Sequence, residues 1–433
     1  MLGKPKKSDT MNYNEALNFI HSRDKFGSRP GMERIEALCN AFDNPQDKLK
    51  YVHVAGTNGK GSTCHMIASV LSESGYNVGL FTSPFVVDFR ERIQINGEMI
   101  PQADLAEIVS EVKPVVEKLS KQGIEPTEFE IITITAFLYF LRQNCDIVVL
   151  EVGLGGLLDS TNIIKKSEVS VITSISLDHT NILGDTLLKI AEHKCGIFKE
   201  GGNVVGYPQP DFAVERFIKD KAKEKNCKYY PHELSKIRLV REEIDGSTII
   251  YAGCTFKIPL TGKHQLYNFA TAVAAINVLK QNGWNVTYKS LIDGISKVKV
   301  PARTEIVSHS PLTIIDGGHN AEGVDALCNT LVKFCANRKI IAVFGMMRDK
   351  DYSYAVKRLA PLCDRIYTTE ASNPRTLDAK SLAKEAKQYC KKVRPEPNPE
   401  KAYNKALKKA KDDDVVLVCG SLYLASDAEK FIK

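Results

Sequence analysis

No stretch of this 433-residue sequence approaches the roughly 18 consecutive apolar residues that a membrane-crossing helix needs, which argues against a helical transmembrane protein. The opening MLGKPKKSDT is basic and polar and lacks the apolar centre of a secretory signal, so it reads as a short extension. The 11 cysteines are scattered singly with no C-x-x-C pair. That pattern speaks against cysteine-held zinc and suits reduced thiols in a reducing, cytoplasmic compartment. Basic clusters with interleaved aromatics are missing, so nucleic acid is not an expected partner, and neither is a membrane. Internal repeats and low-complexity segments are missing as well.

Present instead is a globular balance of 43% apolar and 26% charged residues. The length suits about two to three domains. A net charge of +7 is mild, and suits a lysine-rich surface with some attraction for anionic ligands. Strand-like and helix-like patterns alternate almost throughout, the signature of an α/β fold around mostly parallel sheet. Strands are expected over 49–54, 78–81, 146–152 and 169–176, with a helix over 61–74 stopped by Gly75. The pattern turns to short β segments over 237–260, with Gly246 and Gly253 as turn residues, and then to a helix over 264–281. Alternation restarts after Val300-Pro301, with strands expected over 312–315, 340–344, 365–369 and 415–419. A boundary near 297–302 divides the chain into units 1–298 and 299–433.

Between the first expected strand and helix lies V-A-G-T-N-G-K-G-S-T, Val54 to Thr63. Glycines there let the backbone turn tightly and bring N–H groups to phosphate oxygens. The helix start adds partial positive charge and free donors. Lys60 is suited to the β and γ phosphates, and Ser62 or Thr63 to phosphate or metal. The run departs from the common G-x-x-x-x-G-K-[ST] string: Val54 stands where the first glycine would be, and Gly61 separates the lysine from the hydroxyl.

Further polar residues fall at expected strand ends, where open α/β sheets bind ligands. Thr82-Ser83-Pro84 follows the second strand, Glu151 closes DIVVLEV, and Asp178-His179 follows VSVITSIS. Brought together, a hydroxyl, a carboxylate and an imidazole suit Mg²⁺ beside a triphosphate. Each has a plain structural alternative in a turn, a loop hydrogen bond or a buried edge. Lys194, on an expected helix, reads either as a surface salt bridge or as a lysine near the metals.

GTNGKGST, FTSP, EVGLGG with LDSTN, LDHT, HKCGIF, GKHQ with Asn268, PAR, DGGHN, GMMRDKD and GSLYL occur in an order that resembles the folylpolyglutamate synthases and their bifunctional dihydrofolate synthase relatives, over residues 11–426. The phosphate loop alone is shared with muramyl ligases. The resemblance implies an N-terminal P-loop-type nucleotide-binding domain with a mostly parallel sheet, a smaller C-terminal Rossmann-like domain, and ATP in the cleft between them. It implies ATP contacts at Gly56, Thr57, Asn58, Gly59, Lys60, Gly61, Ser62, Asn268, Arg303 and Asp316. Ser83, Glu151 and His179 would be Mg²⁺ ligands. His319 and Asn320 would lie near nucleotide or incoming glutamate, with His319 a candidate for proton removal. Lys194 matches a lysine carbamylated in many relatives, which requires an amine held neutral by a depressed pKa.

For the folate or dihydropteroate ring, the matching positions are Gly27, Ser28, Arg29, Pro30, Thr82, Ser83, Thr127, Glu128, Phe129, Glu130, Leu158, Asp159 and Ser160. Phe129 reads either as a stacking ring or as core. Departures are Leu157 for a common arginine, Phe85 for a common histidine, His193 and Cys195 flanking Lys194, and Arg348 opening R-D-K-D. The implied activity is ATP-driven ligation of L-glutamate to a folate carboxyl through an acyl phosphate, with the bifunctional form favoured, in a cytoplasmic monomer. The alternatives are a muramyl-type ligase on a nucleotide-linked precursor and a nucleotide switch without ligase activity.

Overall fold

The computed structural model describes residues 10–23 and 30–432. Its first sheet contains β1 (Tyr51–Ala55), β2 (Val78–Phe81), β3 (Ile93–Ile95), β4 (Glu98–Met99), β5 (Ile147–Glu151), β6 (Val169–Ile172), β7 (Asn203–Gly206) and β8 (Lys228–Tyr230), in the order β4-β3-β2-β5-β1-β6-β7-β8. The six strands from β2 to β8 run parallel, and β3 and β4 add an antiparallel edge. The central strands are buried on both faces, which is why YVHVA, IVVLE and VSVI read as continuous apolar runs rather than alternating ones.

Helices Lys60–Glu73 and Lys263–Gln281 cover one face with residues such as Ile67, Val70, Phe269 and Val273. Gln102–Lys121 and Glu128–Arg142 cover the other, with Val112, Val116, Phe137 and Phe140. The β-rich stretch forms a separate antiparallel sheet of β9 (Ile237–Glu243), β10 (Gly246–Tyr251) and β11 (Cys254–Ile258). Its apolar side chains Ile249, Phe256 and Ile258 join the first core.

The third sheet contains β12 (Glu305–His309), β13 (Leu312–Asp316), β14 (Ile340–Phe344), β15 (Arg365–Thr368), β16 (Val393–Pro395) and β17 (Val415–Cys419). Its order is β12-β13-β17-β14-β15-β16, parallel except for β12. Separate apolar cores lie on its two faces. The α/β expectation therefore holds, with two parallel-rich sheets whose carboxyl ends carry the polar segments. The strand expected over 169–176 stops at Ile172, because Thr173 and Ser174 turn toward the phosphate loop: Thr57 N–H donates to the Ser174 carbonyl at 2.7 Å. Among the described residues, no helix is long and apolar enough to cross a membrane.

Candidate active site

The phosphate loop leaves β1 and enters the helix at Lys60, with Gly59 as N-cap at φ 82. That left-handed conformation disfavours other residues. Space forbids them too, since a Cβ at Gly59 would lie 2.3 Å from Asn268 Oδ1. Asn268 is buried and donates from Nδ2 to Gln265 Oε1 at 2.9 Å, so its amide is oriented against the loop. The structure thus brings Asn268, which the resemblance matches to an ATP contact, against Gly59.

Gly61 faces the Glu151 carboxylate, with a built Cβ 3.6 Å from Oε2. The residue that breaks the usual string lies where a carboxylate closes over the helix start. Ser83 N–H donates to Glu151 Oε2 at 3.1 Å. Burial raises the Glu151 carboxyl above its ordinary range, and Lys60, the Ser83 N–H, Arg303 and Arg92 partly offset this. Lys60 Nζ donates to the Thr57 carbonyl at 3.1 Å, and Ser62 is buried on the first turn.

His179 is not joined to the Ser83–Glu151 pair by direct contact. It caps a short helix at φ 50, and its ring lies 4.0 Å from Asp178 Oδ2. Burial lowers its pKa first, and Lys60 and Lys194 lie within its electrostatic reach. No group of three or more His, Cys, Asp or Glu side chains able to hold a metal occurs among the described residues. The protein therefore offers a partial set: two oxygen donors already adjacent and an imidazole in the same field. Such a set fits a hard divalent cation that takes its remaining ligands from phosphate and water.

The second lobe closes on this loop. Asn58 Nδ2 donates to Glu322 Oε2 at 2.6 Å, and Asn320 Nδ2 donates to Asn58 Oδ1 at 3.0 Å. Ser174 Oγ donates to Glu322 Oε2 at 3.0 Å. Lys350 Nζ donates to Asp178 Oδ1 at 2.5 Å, and Asn320 Nδ2 reaches Asp178 Oδ2 at 3.2 Å. Burial alone would raise the Asp178 carboxyl, but Lys350, with His179 and His319, holds it well below the usual range.

Asp316 ends β13 and accepts from Thr304 N–H (2.9 Å), Thr304 Oγ1 (3.0 Å) and Gly318 N–H (2.8 Å). Burial nevertheless raises it. Arg303 sits between the lobes electrostatically, lowering both Glu151 and Asp316. His319 Nδ1 lies 3.0 Å from the Gly317 carbonyl, which must accept, leaving Nε2 as the bare nitrogen. Burial, then Lys350, pushes its pKa down to about 4, so the ring is neutral near pH 7.

Comparison with known proteins bears on what this cleft is for. Residues 54–276 match the Mur ligase middle domain, and residues 302–422 match the Mur ligase glutamate ligase domain. A dihydrofolate synthase/folylpolyglutamate synthase of Bacillus subtilis is 37% identical, across 97% of this chain and 99% of the relative. The chain belongs to the folylpolyglutamate synthase family of Mur ligases. Escherichia coli FolC in complex with DHPP and ADP superposes with TM-score 0.85 at 30% identity, covering 98% of each chain. A bifunctional folylpolyglutamate synthase/dihydrofolate synthase of Yersinia pestis, complexed with AMPPNP and Mn ion, gives 0.83 at 28% identity, covering 99% of each.

Of the two readings of Lys194, the structure excludes one. The residue is no surface salt bridge but a buried lysine, and its Nζ donates to the Gly56 carbonyl at 2.7 Å behind the loop. Burial, then Lys60, lowers its pKa well below that of an ordinary lysine.

The positions matched to the folate ring divide in two. Thr127 and Glu130 form a capping box for the helix Glu128–Arg142, and Glu130 also accepts from Arg34 Nε at 2.8 Å. Asp159 is buried and accepts from Leu154 N–H (2.8 Å) and Thr161 Oγ1 (2.6 Å). These carboxylates are engaged in holding their own loops. Ser160 is buried with them, while Thr82 Oγ1 donates to the Glu91 carbonyl at 3.2 Å. Phe129, Glu128 and Leu158 remain nearer the surface. Phe129 packs on Gly153, where a Cβ would approach its ring to 2.5 Å, and lies 5.9 Å from Phe81. Leu158 is 43% exposed. Pro30 is exposed, and Gly27, Ser28 and Arg29 lie outside the described residues.

Sequence reasoning missed roles for Arg92, Asp178, Glu322 and Lys350. Lys350 and Asp178 stood within the quoted R-D-K-D and L-D-H-T strings. Arg92 carried no motif signal.

Proposed function

We propose that this chain joins L-glutamate to the carboxyl group of folate, and also of dihydropteroate, at the expense of ATP. The observation that carries the reading is the closure of the second lobe on the phosphate loop, where Asn320 and Glu322 meet Asn58 while Arg303 lies within electrostatic reach of Glu151, which sits beside Lys60 and Ser83. The B. subtilis relative bears both synthase names in one protein, which supports the bifunctional form. Units 1–298 and 299–433 act as the nucleotide-and-folate lobe and the glutamate-ligase lobe. The enzyme works as a cytoplasmic monomer.

A carboxylate resists amine attack because oxide is a poor leaving group. Phosphoryl transfer from ATP converts it to an acyl phosphate, a problem mainly of position and charge. Lys60, the loop N–H groups and Arg303 offset charge on the transferring phosphoryl group. Asn268 keeps the loop in register, and Asp316 orients the nucleotide from the second lobe. Ser83 and Glu151, with His179 in the same field, would hold Mg²⁺, which would supply charge neutralisation at the phosphates. The free amine of glutamate then attacks the acyl carbon, phosphate leaves, and an amide remains. His319, neutral and with Nε2 bare, accepts a proton from that amine. Lys194, whose pKa burial lowers well below that of an ordinary lysine, is the amine that carbon dioxide would carbamylate. Lobe contact excludes water from the acyl phosphate.

The test is purified protein with ATP, Mg²⁺ and radiolabelled glutamate, offered dihydropteroate, tetrahydrofolate or a nucleotide-linked cell-wall precursor. Incorporation with both pterin acids is expected. Incorporation only with the cell-wall precursor, or ATP hydrolysis indifferent to every acceptor, would overturn the proposal.

A further inference from the structure

Among the described residues, Arg92 is the one buried guanidinium beside the candidate metal pair, and its donors are nearly idle. It ends the short 3₁₀ turn Phe89–Arg92 and is 9% exposed. A guanidinium carries five N–H donors. Nη1 donates to Ser83 Oγ at 3.2 Å. Nη2 lies 3.8 Å from Glu128 Oε1, an ion pair too long for a hydrogen bond. Nε is buried without a partner. Phe85 and Phe89 flank the charge, with ring centroids 5.3 and 5.4 Å away. Burying a charge this way is costly unless a partner arrives.

The position says which partner. Arg92 stands between two groups of residues. On one side are Ser83 and Glu151, beside the phosphate loop. On the other is Glu128, on the first turn of the helix whose Phe129 faces Gly153. Glu128, Tyr423 and Glu151 are the groups that stabilise its charge. An acid whose ring lay along Phe129 and whose carboxyl had to meet the terminal phosphate would run from the Glu128 side toward Ser83, the interval that Arg92 bridges. The planar fork of an arginine matches a carboxylate bidentately.

We propose that Arg92 binds the carboxylate of the pterin acid that is to be phosphorylated, holding it beside Ser83 and screening it from the negative phosphates it must approach. This rests on the function proposed above. It assigns to the acceptor a specificity contact outside the phosphate loop: the site selects an acid end as well as a flat ring. Phe85 and Phe89 keep the guanidinium dry, so its attraction for a carboxylate is undiminished by water.

The experiment compares binding of dihydropteroate and of its carboxamide analogue to wild-type protein, Arg92→Met and Arg92→Lys, by calorimetry in the presence of AMPPNP. The methionine keeps an apolar stem between the two rings. Wild type should prefer the acid, and R92M should bind the acid about 10- to 100-fold more weakly, the weight of a charge-assisted hydrogen bond. The carboxamide should bind both proteins alike. R92K, which keeps charge but not the fork, should lose acid affinity by an intermediate factor and serves if R92M does not fold. In steady state the KM for dihydropteroate should rise, with the KM values for ATP and glutamate held. Equal losses for acid and carboxamide would mean a merely structural arginine, and a rise confined to the glutamate KM would mean the wrong carboxylate; either result overturns the inference. Wild-type protein that ignores both pterins would overturn the functional reading itself, and the inference with it.

Discussion

The contact between Lys350 and Asp178 should be a strong coupling across the cleft, and its strength can be worked out. Nζ and Oδ1 are 2.5 Å apart, and the side chains are 13% and 11% exposed. At an effective dielectric of about 20, unit charges at that distance attract by about 7 kcal/mol. Removing both from water costs several kcal/mol, so the net coupling should be on the order of 2–4 kcal/mol. Lys350→Met deletes the cation, Asp178→Asn keeps an oxygen for Asn320 Nδ2, and the double variant closes the cycle. Urea unfolding followed by circular dichroism reports the free energies. Small-angle scattering reports whether the lobes part. Each single variant should be destabilised, the double variant by clearly less than the sum, and the scattering radius should grow in all three. Strict additivity, with unchanged radius, would refute the reasoning that this pair ties the lobes together.

Lys60→Ala should abolish ligation while thermal unfolding shifts little, because the side chain donates only to the nearby Thr57 carbonyl; unchanged turnover would remove the phosphate-loop assignment. Gly59→Ala should cost about 1–2 kcal/mol for the left-handed backbone, and more for the contact with Asn268, with a raised KM for ATP; a silent variant would mean that the loop shifts freely. His53 is buried on β1 and its pKa lies well below the ordinary value through burial, with Lys199 adding to the effect. Below the unfolded value of about 6.5 the unfolded chain takes up a proton that the folded chain refuses, so stability is full above that pH and falls below it by about 1.4 kcal/mol per pH unit. In His53→Gln the slope of unfolding free energy against pH should shrink by one proton between pH 6.5 and the folded value, whatever its absolute stability. An unchanged slope would place the titration elsewhere.

Much of the fold could be read from pattern, for identifiable reasons. IIAVF and VVLVC are buried on both faces and bounded by polar turns, so 340–344 and 415–419 emerge at their observed limits. The phosphate loop was legible because glycine, lysine and hydroxyl carry its chemistry locally. Other features depend on distant chain segments. Nothing within IAEHKCGIF indicates that Lys194 points inward to Gly56, and nothing near Arg92 indicates that Phe85 and Phe89 will enclose it. One local signal was available and outweighed: Thr127 to Glu130 spells T-x-x-E, the mark of a capping box, and the structure uses it as one.

Asn58 belongs to the loop that would cradle phosphate, yet its amide is held by Asn320 and Glu322 of the opposite lobe. Nucleotide settling on that loop would therefore be felt in the other half of the molecule. By reciprocity, a ligand of the far lobe whose affinity nucleotide changes would change the grip on nucleotide by the same factor. A side chain at the phosphate end thus makes occupancy on one side a matter of affinity on the other.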